Sequence, residues 1–298
     1  MQYSTFAAID IGSYDVILEI FEISKKQGIR SVDKICHRME LGKDTYTLGK
    51  IRPEMEEELC RVLADFVRIM EGYRVDDYRA TASSAISEAS NSLYVLGKIH
   101  QLTGLSVTVL SNSEQRFLSY KALAAMEDNF NKIIEKGTAI LDLDGGSFQI
   151  SLFDKDALVT TQNIRMGSLR IRERLAGIQS ETEHYEEMVE ELIWNEVSSF
   201  KKMYLKDRKI ENIMLIGDVF TDSVYQNIEE KTTKIISREN FNTWYEKIIR
   251  QSPMELAVKL GIPLENASLM YPSAVIYKCL IDMMGAEHIW IPGVHMTR

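Results

Sequence analysis

The chain contains few of the residues that build disulfide frameworks or metal centres. Its three cysteines, Cys36, Cys60 and Cys279, are scattered and lack the pairwise spacing of a disulfide framework or a zinc site. The five histidines show no H-x-x-x-H or similar clustering. We therefore expect a protein of a reducing compartment, with no disulfide frame and no metal centre built on imidazole.

Long apolar runs and an excess of positive charge are also absent from the sequence. No apolar run approaches the roughly 18 residues of a membrane helix, and the N-terminus lacks a basic segment followed by an apolar one. The formal net charge of −9 argues against a nucleic-acid binder, and weighs mildly against capture of a long polyanion unless a local basic groove exists. We expect a cytoplasmic protein that binds neither DNA nor membrane.

A strand, a glycine-containing turn and a second strand occur twice in the chain. The first copy runs from Ala7 to Phe21, with Asp10 at the end of its first strand. The second copy runs from Ala139 to Phe153, with Asp142 in the corresponding place. A repeat at a spacing of roughly 130 residues favours two related lobes, whereas a single copy would favour an ordinary hairpin.

Both turns contain the residue types that hold a phosphate group. Glycines allow positive φ and leave backbone N–H groups uncovered, so that amides and a hydroxyl can donate to phosphate oxygens. An aspartate at the end of the first strand can hold Mg²⁺ or a metal-bound water. The predicted phosphate-binding residues are Asp10, Gly12, Ser13, Asp144, Gly145, Gly146 and Ser147, and the predicted metal-binding residues are Asp10 and Asp142.

Strands alternate with helical segments along the chain, which is typical of an α/β fold rather than an all-β or bundle fold. We predict two domains, residues 1–127 and 128–298, each built around one of the hairpins. Residues 128–136 are predicted to be the connector, and a short helix is predicted for Thr221–Ile228.

Three further elements are predicted from local patterns. A helix begins at Pro53, and its buried apolar stripe includes Leu63. Residues 43–50 are polar and include Gly49, which predicts a turn. The last long helix is predicted to begin at Pro272.

The order of these motifs resembles the exopolyphosphatase and guanosine pentaphosphatase (Ppx/GppA) family, a branch of the actin-like ATPase superfold. The resemblance covers nearly the whole chain and rests on Asp10–Ser13, Ala82–Asn91, Leu110–Tyr120, Asp142–Ser147, Met166–Leu175, Gly217 and the Tyr271-Pro272-Ser273-Ala274 turn. It implies two ribonuclease H-like domains with a cleft between them, and Asp10 facing Asp142 across it. It also implies the short form of the family, without additional C-terminal helical domains.

The resemblance implies an activity as well. Family members hydrolyse phosphoanhydrides of inorganic polyphosphate or of guanosine pentaphosphate, with Mg²⁺. We therefore expect a Mg²⁺-dependent phosphohydrolase that acts on polyphosphate or a phosphorylated guanosine nucleotide, and a homodimer is a plausible assembly. The resemblance implies catalytic positions at or beside Glu114, Gln115, Asp142 and Gln149.

The departures from the family pattern are concentrated at the positions that would bind phosphate or catalyse its release. Gln115 stands where the catalytic glutamate belongs, and Gln149 stands where the second phosphate loop has a glutamate. A glutamine can orient a water but cannot accept its proton near neutral pH. Glu114 or Asp144 could serve as a replacement base, while Asp144, in place of a loop glycine, could instead repel phosphate. This chain also has Tyr14 where the family has Asn, Ser87 where the family has Arg, and Gly217-Asp218-Val219 where the family has Gly-Gly-Thr.

Two alternatives belong to other functional classes. A degenerate family member would keep the fold and act as a phosphate-ligand sensor or interaction protein, and Gln115 and Gln149 are the features that favour it. A sugar or acetate kinase of the same superfold would need an adenosine pocket, and the missing Gly-Gly-Thr after Ile216 argues against one.

Overall fold

Strands and helices alternate along the chain in the computed structural model of the protein. The structure describes residues 3–26, 28–126, 130–176, 185–217, 220–221, 223–224 and 235–292. The chain divides into two units, Met1–Arg116 and Phe117–His295. The domain boundary predicted between residues 127 and 128 lies outside the described residues.

The first unit contains a five-stranded sheet. Its strands are β1 (Ser4–Ile11), β2 (Asp15–Ser24), β3 (Gly28–Arg38), β4 (Asp77–Ala82) and β5 (Val107–Val109). Their order is β3-β2-β1-β4-β5, in which β1, β2 and β3 form an antiparallel meander and β4 and β5 pair in parallel. The first predicted hairpin is therefore confirmed as β1–β2.

Helices of the first unit follow the sheet strands. They are α1 (Leu41–Leu48), α2 (Pro53–Tyr73), α3 (Ser84–Ser87), α4 (Ser92–Thr103) and α5 (Asn112–Met126), the last of which continues into the second unit. The apolar stripe of α2 packs on alternate residues of β1 and β2, and Leu59, Leu63 and Phe66 are buried. The helix predicted to begin at Pro53 is confirmed.

The second unit contains a six-stranded sheet of order β10-β11-β9-β6-β7-β8. Its strands are β6 (Thr138–Leu143), β7 (Phe148–Asp154), β8 (Ala157–Ile164), β9 (Asn212–Ile216), β10 (Ile235–Ser237) and β11 (His288–Trp290). Its helices are α6 (Phe130–Ile134), α7 (Ser168–Leu175), α8 (Tyr185–Phe200), α9 (Arg238–Ile249), α10 (Pro253–Leu260) and α11 (Leu264–Met284). A short π-helical segment, Lys201–Leu205, continues α8.

The two sheets share one topology. In each, a first strand pairs antiparallel with the second and parallel with a later strand, and the second pairs antiparallel with the third. The orders β3-β2-β1-β4 and β8-β7-β6-β9 are therefore equivalent. This confirms the α/β class and the repeat that the two hairpins indicated.

Three local predictions differ from the structure. Residues 43–50, predicted to be a turn, lie mostly in α1, which ends at Leu48 and is followed by Gly49 in a left-handed conformation. The predicted connector contains α6. Pro272 and the predicted turn around it lie inside α11, where Ser273 Oγ donates to the Leu269 carbonyl at 2.8 Å.

Some predicted features lie outside the described residues. These include most of the helix predicted for Thr221–Ile228, together with Asp218 and Val219. Within the described part of the chain, no helix has the length and apolarity needed to cross a membrane.

Candidate functional site

The turn between β6 and β7 is held on one side by the N-terminal end of α7. The backbone N–H of Ser168 donates to the Asp144 carbonyl at 3.2 Å, and that of Arg170 donates to the Gly145 carbonyl at 2.9 Å. The Arg170 side chain donates through Nε to the Gly146 carbonyl at 2.8 Å. Three consecutive carbonyl groups of the turn therefore point towards α7.

The N–H groups of the same turn point to the other side. The peptide bonds here are trans, so each carbonyl is opposed to the N–H of the following residue. The N–H groups of Gly145, Gly146 and Ser147 are consequently directed away from α7. Asp144 Oδ1 accepts the Gly145 N–H at 2.6 Å, and the Asp144 N–H closes the turn on the Ser147 carbonyl at 2.9 Å. The described residues provide no acceptor for the N–H groups of Gly146 and Ser147.

Gly167 allows α7 to approach the turn this closely. A Cβ atom at position 167 would lie 2.2 Å from the Asp144 carbonyl oxygen and 2.5 Å from that of Gly145. Such distances are too short for any side chain, and the atoms it would meet are backbone. Glycine at this position is therefore required by contact with the turn.

The carboxylate of Asp142 lies at the end of β6, just before the turn. Its Oδ2 accepts a hydrogen bond from the buried Ser119 hydroxyl of α5 at 2.8 Å. On the other side, a Cβ at Gly217 would lie 2.7 Å from Oδ1, and Gly217 has a φ of +83°. Burial raises the pKa of Asp142 to about 6, and the hydrogen bond from Ser119 opposes that rise.

Polar side chains form a row across the sheet beside Asp142. The strand registers pair Asp142 with Gln149 and Gln149 with Asn163, so all three lie on one face of the sheet. Gln149 is buried, and Asn163 Nδ2 donates to Ser147 Oγ at 3.2 Å. Asn163 was not predicted as a site residue, because only the β7–β8 register brings it beside Gln149 and the turn.

The β1–β2 turn of the first unit has a different arrangement. Ser13 is fully buried, and its Oγ lies 2.8 Å from the Tyr46 hydroxyl and 3.5 Å from Ser84 Oγ. The Tyr46 hydroxyl also lies 2.9 Å from Ser84 Oγ. Tyr46 and Ser84 were missed as site residues, and Tyr46 belongs to the segment predicted to be a turn.

Asp10 and Gly12 flank this hydroxyl cluster. Asp10 is half-buried at the end of β1, and the Thr81 hydroxyl lies 3.4 Å from its Oδ1. The Gly12 N–H donates to the Asp15 carbonyl at 2.9 Å. Gly12 does not have the left-handed backbone that the sequence suggested, and its role is close contact, since a Cβ there would lie 2.9 Å from Asp15 Oδ1.

Glu114 caps the N-terminus of α5. Its Oε2 accepts the Ser111 N–H at 2.9 Å and the Ser111 hydroxyl at 2.8 Å. These hydrogen bonds lower the pKa of the exposed Glu114 carboxyl, which makes it a weaker base. Gln115 is half-buried in the same turn of α5.

The Asp142 carboxylate beside the β6–β7 turn fits a Mg²⁺ ion that is bound by few protein ligands. Within the described ranges, no group of three or more His, Cys, Asp or Glu side chains could hold a metal ion. Mg²⁺ commonly takes one or two carboxylates, water and substrate phosphate rather than an all-protein cage. A single carboxylate such as Asp142 next to a turn that can hold phosphate matches that pattern.

The chain matches only part of the length of two curated relatives. The bifunctional 3-dehydroquinate synthase/phosphatase of Fusobacterium nucleatum is 21% identical over 310 residues, which cover 95% of this chain and 44% of the relative. Exopolyphosphatase 1 of Mycobacterium leprae is 25% identical over 144 residues, which cover 48% of this chain and 41% of the relative. The chain thus aligns with less than half the length of each.

Solved structures share the fold of the chain. A Cytophaga hutchinsonii exopolyphosphatase has a TM-score of 0.84 at 16% identity, covering 96% of this chain and 93% of that one. The Aquifex aeolicus member of the Ppx/GppA family has a TM-score of 0.74 at 19% identity, covering 98% and 95%. The predicted actin-like fold is thereby confirmed.

The family itself is determined by sequence. Residues 19–294 match the Ppx/GppA phosphatase family, and this range contains the β6–β7 turn, Asp142 and Gln149. The resemblance that the motifs indicated is confirmed over most of the chain. The chain belongs to the Ppx/GppA phosphatase family.

Proposed function

We propose that this chain is a Mg²⁺-dependent phosphohydrolase that releases a terminal phosphoryl group from inorganic polyphosphate or guanosine pentaphosphate, at a low rate. The observation that carries the proposal is the β6–β7 turn. Its carbonyls are held by α7 and its N–H groups are directed to the other side, and the turn follows Asp142 at the end of β6. The similarity to exopolyphosphatase 1 of Mycobacterium leprae supports polyphosphate as a substrate.

The phosphate would bind mainly at the second turn. The N–H groups of Gly146 and Ser147 would donate to its oxygens, as in backbone anion sites elsewhere. The Ser147 hydroxyl, which accepts from Asn163 Nδ2, would add a further donor. Asn163 therefore has a positioning role in this proposal, because it orients Ser147.

The first turn would contribute differently. Asp10, Gly12 and Ser13 remain predicted phosphate contacts, but the Ser13 hydroxyl is buried against Tyr46. A hydroxyl donor to a ligand there would come more readily from Tyr46, which is half-buried rather than buried. The prediction that Asp10 and Asp142 face one ligand concerns the relation between the units, and it stays a prediction.

The low rate follows from the lack of an effective proton acceptor for the attacking water. Mg²⁺ held by Asp142 and the phosphate would neutralise charge on the transferred group. The other requirement is a proton acceptor for the attacking water, usually worth 10²–10⁴ in rate. Gln115 and Gln149 cannot serve, and Glu114 is weakened as a base by its capping hydrogen bonds.

A second candidate function is a phosphate-ligand sensor without turnover. The same observations favour it, since the phosphate turn is formed while the proton acceptors are replaced or engaged. Both functions require binding of the phosphorylated ligand, but only the phosphohydrolase goes on to cleave it and release phosphate. They are therefore separated by measuring both in one preparation.

The test is phosphate release from polyphosphate, guanosine pentaphosphate and simple nucleotides, with Mg²⁺, Mn²⁺ or EDTA. We expect slow, Mg²⁺-dependent release from one of the first two, and its loss in Asp142→Asn. Asp156→Asn, at an exposed position of the β7–β8 turn, is the matched control and should behave as wild type. Binding by calorimetry without release would favour the sensor, and equal release by Asp142→Asn and wild type would contradict the proposal.

A further inference from the structure

We propose that the Asp144 carboxylate is an internal competitor for phosphate at the β6–β7 turn, and that it sets the affinity of this turn. The inference rests on the proposed function, because it concerns the same binding site. It assigns a specific role to the aspartate that replaces a family glycine. The sequence alone left open whether this residue is a replacement base or a source of repulsion.

The first observation is the hydrogen bond from the Gly145 N–H to Asp144 Oδ1, at 2.6 Å. This distance is short for an N–H donor, as in hydrogen bonds that involve an ionised partner. The Gly145 N–H is one of three that the turn directs away from α7. One third of the backbone donors on this side therefore already has an anionic acceptor.

The second observation is that α7 holds the turn in one conformation. Its N–H groups bind the carbonyls of Asp144 and Gly145, and Arg170 Nε binds that of Gly146. The close approach at Gly167 leaves no space for the peptide planes to turn towards α7. The Gly145 N–H is therefore presented on the ligand side even when the Asp144 side chain is removed.

Two effects of the carboxylate then act in the same direction. A phosphate bound by Gly146 and Ser147 cannot also use the Gly145 N–H while Asp144 holds it. The carboxylate also places a negative charge within the same turn as the bound anion, which raises the cost of binding. A hydrogen bond to a charged group is worth at least about a factor of ten in an equilibrium constant, so removal of Asp144 should tighten binding by that factor or more.

The geometry also separates Asp144 from a role as the proton acceptor. Asp144 Oδ1 already accepts the Gly145 N–H at 2.6 Å, so this oxygen is directed to the backbone of the turn rather than to an attacking water. Substitution should accordingly improve binding without abolishing phosphate release. A replacement base would show the opposite result, with binding retained and release lost.

The experiment measures binding of tripolyphosphate by isothermal titration calorimetry, with EDTA and with Mg²⁺. The variants are Asp144→Gly, which removes the side chain, and Asp144→Asn, which keeps an oxygen acceptor but removes the charge. Asp156→Asn is the control. We expect the Kd to fall at least about tenfold in Asp144→Gly, to fall less in Asp144→Asn, and to stay unchanged in the control.

Amide NMR spectra of the same proteins provide a second readout. In wild type, tripolyphosphate should shift the N–H signals of Gly146 and Ser147 more than that of Gly145. In Asp144→Gly all three signals should shift. If Asp144→Gly does not fold, the Asp144→Asn variant decides, since it keeps the local hydrogen bond.

The outcomes distinguish this inference from the function on which it rests. Unchanged or weaker binding in a folded Asp144→Gly or Asp144→Asn variant would overturn the inference and leave the proposed function standing. Retained binding with abolished phosphate release would overturn it in favour of the replacement base. Absence of tripolyphosphate binding by wild type and all variants would contradict the proposed function itself.

Discussion

Burial raises the pKa of Asp142 to about 6, although the Ser119 hydroxyl donates to the carboxylate. Its unfolded value is about 3.9. Between these values the folded state binds a proton that the unfolded state releases, so the stability of the fold decreases as the pH rises through this window. Above about pH 6 the full cost of desolvating the ionised carboxylate is present.

This linkage predicts the behaviour of Asp142→Asn in metal-free buffer. The variant carries no ionisable group, so it should be more stable than wild type above about pH 6, and the advantage should disappear near pH 4. Urea unfolding of both proteins at pH 4, 5, 6 and 7 measures this difference. A stability difference that does not change with pH would show that Asp142 titrates normally.

Gly217 tests how tightly the carboxylate is enclosed. Alanine there would be strained by the φ of +83°, and its Cβ would overlap Asp142 Oδ1 and the Leu143 carbonyl oxygen. Gly261 has a φ of +65° with no atom within 4 Å of its Cβ position, so Gly261→Ala reports the backbone strain alone. That strain is about 1–3 kcal/mol.

We therefore expect Gly217→Ala to lose more stability than Gly261→Ala, and to lose phosphate release as well. Denaturant unfolding and the release assay measure the two effects. Equal losses of stability would mean that Asp142 moves aside without cost, and retained activity would mean that its position is not critical.

Most of the site residues that the sequence predicts lie in or beside the two turns, and Glu114, Gln115 and Gln149 lie in α5 and β7. Asp142 and the 144–147 turn could be found because a strand, an aspartate and glycines follow each other locally. Asn163, Tyr46 and Ser84 could not, because their proximity depends on strand register and on packing between α1 and α3. Glu114 is different, because Ser111 and Glu114 have the S-x-x-E spacing of a capping box, which can be seen in the sequence itself.

At the scale of elements, the hairpins and α2 were predictable and α1 was not. The sequence of α2 has an apolar stripe at helical spacing, whereas α1 is short and mostly polar. Its helical form is supported by distant partners: the Thr45 hydroxyl donates to the Ala85 carbonyl at 2.7 Å, and the buried Asp44 accepts from Arg52. Such tertiary contacts override local turn signals.

The proline in α11 misled the prediction for a related reason. Proline lacks an N–H and usually marks a helix start, yet Pro272 is buried within α11. The hydroxyl of Ser273 donates to the Leu269 carbonyl, and Tyr277 donates to the Ile216 carbonyl at 3.1 Å. Packing of this helix on β9 is not visible in the sequence.

The structural role of α2 gives a prediction at this scale. Leu63 is fully buried against the first sheet, so Leu63→Ala should lower the free energy of unfolding by about 2–5 kcal/mol. Arg61→Ala, on the exposed side of the same helix, should change it by less than about 0.5 kcal/mol. Chemical denaturation of the three proteins is the measurement, and similar midpoints would refute the assignment of the buried face.

At the scale of the whole molecule, the repeated topology explains why two turns of one kind occur in the chain. Each of β1 and β6 has an aspartate as its second-to-last residue, pairs with a parallel strand on one side, and turns back into an antiparallel strand on the other. The copies have diverged in detail. The second turn presents backbone N–H groups, while the first contains the cluster of Ser13, Tyr46 and Ser84 hydroxyls.

The central proposal is that this member of the Ppx/GppA family is a phosphohydrolase whose activity is limited by two glutamines rather than by its fold. Carboxylates at both positions would restore a proton acceptor and a charge for the metal. Gln115→Glu combined with Gln149→Glu should therefore raise Mg²⁺-dependent phosphate release at least about tenfold. Asp142→Asn should abolish release in both backgrounds.

The most direct measurement is the initial rate of phosphate release from polyphosphate by wild type and by this double variant, side by side. The account predicts a slow wild type and a faster double variant that remains folded. It would be contradicted by a wild-type rate already in the ordinary enzyme range of about 1–10³ per second. It would equally be contradicted by a folded double variant that releases phosphate no faster than wild type.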